Sequence, residues 1–463
     1  MDGLEKTGLR GIASKAAEQA FVVLTRLRIV LAPTPYEPAA SFAGADYALA
    51  GLVAAVGVVI AALGPLAFSH HVYVTSLGSY FSADPDRVLA SMTDRWSEHN
   101  HRVSAHPIFS LLVFPPVRAM MLLGVPPLAG ATFLCALCAA ASAGLFYLAM
   151  RGLGLPRLFG ALLGAAYCAS AAFIFWNAFP ETFSYSAATI VLAIFVLTSV
   201  SAKRQLAWIA ASAATLSMLV TNWAFGLLAT FLRLDAKAFL RANAIAFGLI
   251  VALSLVQGAL FPRALYFFDP RPFWTSVTTE TEVGMADEGL RAFTPLANFR
   301  SSLLYSAVTP PTRIEKGVGP WGAYAWVNNT YSPVSDMRWS GLAALAAWLA
   351  LLGIGLWGCW LQKGRRPVAA ALLIGAGLQL ALYSVYGEIP FLFSANLMPL
   401  LMAIAGFGWF TPARRIAGVA ALVFAISGGT NNYLEFRASA RQSSDVSHWR
   451  ADRVYITHIP GLE

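Results

Sequence analysis

Charged residues are scarce in this chain of 463 residues. They make up 12% of it, whereas hydrophobic residues make up 58% and the mean hydropathy is +0.63. Soluble domains are about 25% charged, so this composition excludes an ordinary soluble globular protein. The ten-residue alternation typical of a membrane β-barrel is absent as well. Apolar runs of about 20 residues recur along the chain instead, which predicts an all-α polytopic membrane protein.

Cysteines are also few, and all four lie inside apolar runs, at Cys135, Cys138, Cys168 and Cys359. The C-x-x-C formed by Cys135 and Cys138 has no flanking polar ligands, which favours packing over redox or zinc chemistry. The net charge of +9 comes without a basic stripe interleaved with aromatic residues. We therefore expect neither a structural metal nor a nucleic-acid partner.

The N-terminus lacks the pattern of a cleavable signal, so we expect the first apolar run to act as an uncleaved anchor. The basic residues form short clusters between apolar runs, and such clusters indicate cytoplasmic loops. Together these features predict about 11 spans and a cytoplasmic N-terminus. The predicted regions are a cytoplasmic arm (1–46), an N-terminal transmembrane module (47–260) containing a first external loop (69–125), an external loop region (261–340), C-terminal transmembrane helices (341–430) and an external tail (431–463).

Two segments could be assigned to the membrane in different ways. Ile108–Pro116 is apolar but too short to cross, and the positive-inside rule favours a half-buried external helix there. Gln205–Leu232 has no charge and is long for one span but short for two. Two tight spans hinged at Thr221–Asn222 keep the following arginines cytoplasmic, and we adopt that interpretation.

On this topology no acidic or basic residue falls in the middle of a span, and no internal repeat is recognised. Ion-coupled carriers usually place charged groups at the bilayer midplane and often contain inverted repeats, so the pattern argues against that class. The acidic residues gather at the predicted external face: in Tyr80–Phe109, at Glu181 in the short turn FPETF, in the long loop and at Glu388. A site for the head group of a lipid-borne substrate is therefore the functional hypothesis.

Asp84 precedes Pro85, which is the pattern of a helix start. From Asp84 onwards the helical period places Arg87, Asp94, Glu98 and His101 with Arg102 on one face, and Leu89, Met92 and Trp96 on the other. Each has a plain alternative: Asp84 can be only a helix cap, Glu98 and Arg102 an ordinary ion pair, and Glu181 an acid favoured by the helix dipole. His106, Arg118 and Glu388 can likewise be interfacial anchors.

This arrangement resembles the GT-C superfamily of membrane glycosyltransferases. The matching features are Asp84 in FSADPDRV, the short helix HPIFSLLVFPP, Glu181 in FPETF, the loop Phe261–Arg338 and the segment YGEIPFLFSANLMP, in that order. In that family an acidic residue of the first external loop is essential, and a second lies between spans three and four. The first loop here lacks the Asp-Glu pair of many members, and Glu181 stands where several have aspartate.

The resemblance implies an inverting transfer of a sugar from a polyprenyl-phosphate donor to a lipid or glycan acceptor, on the periplasmic side of a bacterial inner membrane. It implies a catalytic role for Asp84 as base, with Asp86 or Asp94 in reserve, and for Glu181 in orienting a substrate. Substrate binding would involve Arg87, His101, Arg102, His106, Arg118, Glu388 and Asn396. No cofactor is implied, and a divalent metal stays open. The alternatives are a flippase-like lipid or polysaccharide carrier and a ligase or polymerase of the O-antigen type.

Overall fold

The computed structural model describes residues 31, 36–38, 41–74, 79–269, 271, 295–319, 322–386 and 389–454, and most of them are helical. The α-helices are α1 (Gly44–Ala62), α2 (Gly64–Ala67), α3 (His70–Val74), α4 (Pro85–Thr93), α5 (Phe109–Leu122), α6 (Pro127–Gly152), α7 (Arg157–Ala169), α8 (Ala171–Asn177), α9 (Thr182–Ser199), α10 (Gln205–Met218), α11 (Trp223–Arg233), α12 (Ala236–Leu260), α13 (Pro295–Arg300), α14 (Trp339–Leu361), α15 (Arg366–Val385), α16 (Ser394–Gly406), α17 (Arg414–Val423) and α18 (Gly429–Val454). Strands β1 (Arg313–Gly319) and β2 (Gly322–Asn328) form one antiparallel hairpin. Short 3₁₀ turns cover Glu98–Ser104, Val220–Asn222, Val334–Asp336, Lys363–Arg365, Pro390–Phe393 and Phe407–Phe410, and π turns cover Ser301–Tyr305 and Phe424–Gly428.

Seven helical segments in the described part of the chain are long and apolar enough to cross a membrane. The number rises to eight if α7 and α8, which meet at an angle of 59°, form one broken span. All seven lie, to within three residues, in the two regions predicted to be transmembrane, 47–260 and 341–430. The prediction of an all-α membrane protein is confirmed, whereas the count of about 11 spans and the sidedness of the loops stay predictions.

The break between α7 and α8 is built around Ser170. Its side chain accepts a hydrogen bond from the Phe173 amide at 3.3 Å, which caps α8 and starts a new helix. The amides of Ala171 and Ala172 then donate to the carbonyls of Ala307 and Ser306, at 3.0 and 2.8 Å. A segment of the predicted external loop therefore lies against a broken helix inside the bundle and satisfies its free amides.

Helices α10 and α11 form a tight hairpin whose tip is Val220–Asn222, at the predicted hinge. Gly226 permits the close approach, because a Cβ there would lie 2.2 Å from the Thr215 hydroxyl oxygen. The end of α10 and the tip bond to the predicted first external loop: the Ile108 amide donates to the Ser217 carbonyl and the Val220 amide donates to the Ala105 carbonyl, both at 3.2 Å. The hairpin thus reaches the face of the molecule that carries the candidate site.

The β-hairpin connects the first loop to the C-terminal helix. Tyr80 bridges to Val327 of β2, and the Phe81 amide donates to the Val327 carbonyl at 3.1 Å. The Ser79 hydroxyl shares hydrogen bonds with Ser443 and Ser447 of α18, at 3.1 and 3.2 Å. The helical segments α17, Phe424–Gly428 and α18 follow one another without a gap, so the predicted last span continues into the predicted tail.

The single interfacial helix predicted from Asp84 to Arg102 is wrong. Helix α4 ends at Thr93, and Glu98–Ser104 forms a separate 3₁₀ turn after an exposed bend. The Asp94 carboxylate accepts from the Trp96 amide at 2.8 Å, a local bond that competes with continuing the helix. Met92 is buried as expected, whereas Trp96 is exposed.

Candidate functional site

The backbone leading to Asp84 is strained. Phe81 has φ 51° and Ser82 has φ 55°, in the left-handed region that residues with side chains seldom adopt. Each such residue costs about 1–3 kcal/mol and persists only where its surroundings fix it. Phe81 is fully buried, packs on Phe391 and donates its amide to β2, so its conformation is held from several sides. This strained turn fixes the position at which α4 and Asp84 begin.

Asp84 is the N-cap residue of α4, but its side chain makes no capping hydrogen bond. Its Oδ2 accepts instead from Arg87 Nε at 3.1 Å. A role as a helix cap alone would require the capping hydrogen bond that Asp84 does not make. Arg87, one helical turn away, orients the carboxylate instead.

Glu181 closes the cluster from the other side. Its Oε2 accepts from the Thr182 amide at 2.6 Å, so Glu181 is the N-cap residue of α9. The helix dipole, which was the plain alternative, favours a negative charge at this end of the helix. The Glu181 Oε1 atom lies 3.8 Å from an Arg87 terminal nitrogen and accepts from the Asp84 backbone amide at 3.5 Å. The structure thus brings Asp84 and Glu181 together around Arg87, which is shared between the two carboxylates. Arg87 therefore binds protein carboxylates, a role that its sequence position did not reveal.

The two carboxylates differ in access to solvent. The Asp84 side chain is 38% exposed and the Glu181 side chain 2%. Burial raises the pKa of Glu181, with the Asp84 charge adding to it and Arg87 opposing it. Burial would lower the pKa of Arg87, but Glu181 and Asp84 together raise it, so the guanidinium stays charged. With all three groups ionised the cluster carries one net negative charge.

The other two predicted acids lie at opposite ends of α4. Burial raises the pKa of Asp86, which is half-buried in the first turn of α4, and the charge of Asp84 adds to the effect. Asp94 is exposed at the opposite end of α4, on the order of 14 Å along the helix from Asp84. Asp94 is therefore not brought into the site.

The predicted cationic groups of the first loop are not assembled around one point. His106 is buried, with Nδ1 2.7 Å from the Met218 carbonyl; burial, reinforced by the Arg87 charge, lowers its pKa to about 3. It is therefore neutral at neutral pH. His101 is exposed, with Nδ1 2.7 Å from the Glu98 carbonyl, and Arg102 is half-buried in the same turn. Glu98 pairs with Arg263 at 3.3 Å.

Arg118 lies on an apolar groove of about 310 Å³. The groove runs between α5 and the end of α12, and Arg95 is the second cation on its wall. The other lining residues are apolar: Leu111, Phe114, Pro115, Ala119, Leu122, Leu260 and Phe261. The sequence did not predict a binding role for Arg95. Arg95 lies in the bend after α4, and only the folded structure brings this bend next to α5.

Asn396 is fully buried in a chain of neutral polar side chains between helices. Its Oδ1 accepts from the Ser186 hydroxyl at 2.7 Å and from Asn222 Nδ2 at 3.1 Å, and Asn222 Oδ1 accepts from Gln379 Nε2 at 3.4 Å. We missed Ser186, Asn222 and Gln379 in the sequence, since isolated uncharged residues within apolar runs give little signal. Glu388 lies outside the described residues.

No group of three or more His, Cys, Asp or Glu side chains among the described residues is placed to hold a metal ion. Comparison of the chain with protein-family models, with curated proteins and with solved structures gives no match.

Proposed function

We propose that this protein is a membrane glycosyltransferase of the GT-C type, which transfers a sugar from a polyprenyl-phosphate donor to a lipid or glycan acceptor at the external face of the inner membrane. The observation that carries the proposal is the meeting of Asp84 and Glu181 around Arg87, behind a strained turn at the end of the bundle. A buried carboxyl group with a raised pKa, such as that of Glu181, is a frequent feature of functional sites.

Asp84 is the group best placed to act as general base. It is the accessible carboxylate of the pair, and Arg87 orients it. In the proposed step the acceptor hydroxyl transfers its proton to the Asp84 carboxylate while its oxygen forms a bond to the anomeric carbon. The bond from that carbon to the phosphate oxygen breaks, and the lipid phosphate leaves with the electron pair. Glu181 is a positioning residue, because it holds Arg87 and the Asp84 amide but is itself buried.

The groove along α5 supports a lipid phosphate as the donor. Its apolar wall suits a polyprenyl chain, and Arg95 and Arg118 suit a phosphate at the membrane interface. Arg87 is already paired with Asp84 and Glu181, and His106 is neutral, so neither offers a free cation to the phosphate. We therefore assign binding of the donor phosphate to Arg95 and Arg118.

The test compares Asp84→Asn with Asp94→Asn. A general base typically contributes about 10²–10⁴-fold to the rate. We expect Asp84→Asn to lower transfer from polyprenyl-phosphate sugars at least about a hundredfold and Asp94→Asn, at the exposed end of the same helix, to leave transfer within about twofold of the parent. Retention of transfer in Asp84→Asn would move the base to Asp86. If the parent consumes none of a panel of polyprenyl-phosphate sugars with any acceptor, the enzyme proposal fails.

A lipid carrier is the second candidate, and the buried chain from Ser186 through Asn396 and Asn222 to Gln379 favours it. A carrier needs polar groups inside the bundle, and these side chains lie between α9, α15, α16 and the hairpin tip. Reconstituted vesicles would distinguish the two. Reorientation of a polyprenyl-phosphate sugar without its consumption supports the carrier.

A further inference from the structure

Two turns meet at the C-terminal end of α14, away from the β-hairpin. Helix α14 has 23 residues, so this end lies about 35 Å from the start that follows the hairpin. Gln362 Nε2 donates to the Phe410 carbonyl at 3.3 Å, and the Arg365 guanidinium lies 4.1 Å from the centre of the Phe410 ring. The turns Lys363–Arg365 and Phe407–Phe410 therefore form one surface.

The start of α7 joins this surface through Trp409. The Phe159 ring lies 5.2 Å from the Trp409 ring, and the Arg414 guanidinium lies 5.7 Å from the centre of the same ring. Helices α7 and α17 also pack against each other. Arg157, the first residue of α7, is therefore brought close to Arg414, the first residue of α17.

The surface carries an excess of positive charge. Its exposed cations, named here the basic patch, are Arg157, Lys363, Arg366, Arg414 and Arg415. Apart from Arg157, none of them forms an ion pair with a carboxylate of the described residues. Arg157 pairs with the buried Asp46 at 3.0 Å, but Arg151 binds the same oxygen at 2.8 Å. Two cations share that one carboxylate, so it does not neutralise the patch.

An exposed apolar stripe on α17 begins at the basic patch. Arg415, Val419 and Leu422 follow one another at intervals of four and three residues, so they lie on one face of the helix. Val419 is 62% exposed and Leu422 46%. Arginine at the end of an exposed apolar stripe is typical of a membrane interface, where the charged group reaches the lipid head groups.

We propose that the basic patch and the stripe of α17 together bind an anionic phospholipid. Arginine and lysine bind the phosphate of the head group, and the stripe contacts an acyl chain. A soluble anion or an acidic protein segment would use the cations but not the stripe, so the combination favours a lipid. The patch belongs to other elements than the groove of Arg95 and Arg118, and the proposal does not depend on the transfer reaction.

The test measures lipid binding to the full-length protein in a neutral detergent. Native mass spectrometry gives the Kd of the first bound lipid for phosphatidylglycerol and for phosphatidylcholine with the same acyl chains. Glycerol phosphate is titrated as the head group without chains, and a polyglutamate peptide as an acidic protein segment. We expect phosphatidylglycerol to bind most tightly of the four.

The central variant is Arg414→Gln/Arg415→Gln, and Arg414→Lys/Arg415→Lys keeps both charges. Each cation near an anionic head group contributes about a fivefold change in affinity, so we expect the glutamine pair to raise the Kd for phosphatidylglycerol about tenfold or more. The lysine pair should stay within about threefold of the parent. Val419→Ser/Leu422→Ser should weaken the binding of phosphatidylglycerol without a change of charge.

Two controls remove two cations elsewhere. Arg313→Gln/Lys316→Gln lies on β1, and Arg95→Gln/Arg118→Gln lies on the groove. Both should bind phosphatidylglycerol with a Kd within about twofold of the parent. Loss of this lipid in the groove variant, with the Arg414→Gln/Arg415→Gln variant unchanged, would place the site in the groove and overturn the proposal.

The proposal is also overturned if phosphatidylcholine or glycerol phosphate binds as tightly as phosphatidylglycerol, or if polyglutamate binds more tightly. A lower unfolding temperature of Arg414→Gln/Arg415→Gln with an unchanged Kd would assign these residues a structural role only and likewise overturn it. Transfer activity is scored separately. Loss of transfer in Asp84→Asn with unchanged binding of phosphatidylglycerol supports the enzyme whatever the outcome at the basic patch.

Discussion

At the residue scale, His106 shows how burial determines the state of a titratable group in the first loop. Its Nδ1 lies 2.7 Å from the Met218 carbonyl, and burial together with the Arg87 charge lowers its pKa to about 3. The unfolded chain would have the ordinary value of about 6.5. Below that value the unfolded state takes up a proton that the folded state does not. The stability that neutral His106 contributes is therefore present above about pH 6.5 and is lost as the pH falls towards 3.

We predict that thermal stability falls between pH 7.5 and pH 5 and that His106→Asn falls less. Over the 1.5 or so pH units below 6.5 the free energy of unfolding of the parent loses about 2 kcal/mol through this group alone. Asparagine keeps a donor near the Met218 carbonyl but does not titrate. His101→Asn, at an exposed site, is the control and should follow the parent. Equal losses in the parent and in His106→Asn would contradict the assignment.

The sequence placed Asp84 and Glu181 at the same predicted face, because each adjoins apolar runs, and the Asp84 amide does donate to the Glu181 carboxylate. Their catalytic roles stay predictions. The sequence could not predict that Arg87 would be shared between them, since the two carboxylates are 97 residues apart in the chain. The helical period of the sequence continues beyond Thr93, so the predicted helix was too long. In the structure the Trp96 amide donates to the Asp94 carboxylate, and this local bond ends α4 at Thr93.

At the scale of elements, a pair of glycines allows α14 to touch its neighbours through backbone. A Cβ on Gly355 would lie 2.5 Å from the Ile404 carbonyl oxygen, and one on Gly358 would lie 2.1 Å from the Phe407 carbonyl oxygen. We predict that Gly358→Ala destabilises the protein by about 1–3 kcal/mol, because backbone atoms cannot yield as a side chain would. Gly353→Ala on the same helix has open space around its Cβ and should cost nothing.

The measurement for the glycine pair is thermal unfolding of both variants in the same detergent. A clearly lower unfolding temperature for Gly358→Ala than for Gly353→Ala is expected. Indistinguishable values would mean that α14 and the Phe407–Phe410 turn are not in backbone contact. Glycines of this kind are common where membrane helices cross closely.

Element boundaries were predictable where a long apolar run ended in charge or proline, as in α6, α12 and α14. The break at Ser170 was not, because the apolar run continues through it and only the capping bond to Phe173 reveals it. The sequence also could not predict that Ser306 and Ala307 pack against this break. A polar, proline-rich segment is typical of an external loop. No local pattern predicts that its backbone carbonyls accept hydrogen bonds from the first amides of another helix.

At the scale of the whole molecule, the prediction concerns the side of the membrane on which each end of a spanning helix lies. Helix α14 has 23 residues and is about 35 Å long, enough to cross a hydrocarbon core of about 30 Å. The exposed turns at its two ends, around Ser335 and Gly364, should therefore lie on opposite sides. The charge pattern predicts Ser335 outside and Gly364 inside.

Cysteine labelling in intact cells tests this, with Ser335→Cys, Gly364→Cys and Leu123→Cys. Cys135, Cys168 and Cys359 are buried and Cys138 is half-buried, so the parent gives a low background. An impermeant maleimide should label Ser335→Cys and Leu123→Cys from outside, and Gly364→Cys only after permeabilisation. The Leu123 result decides whether α5 stays on the external face, since that side chain is exposed at its end. Labelling of Leu123→Cys only from the cytoplasm would mean that α5 crosses, and the sides predicted for every later loop would then be reversed.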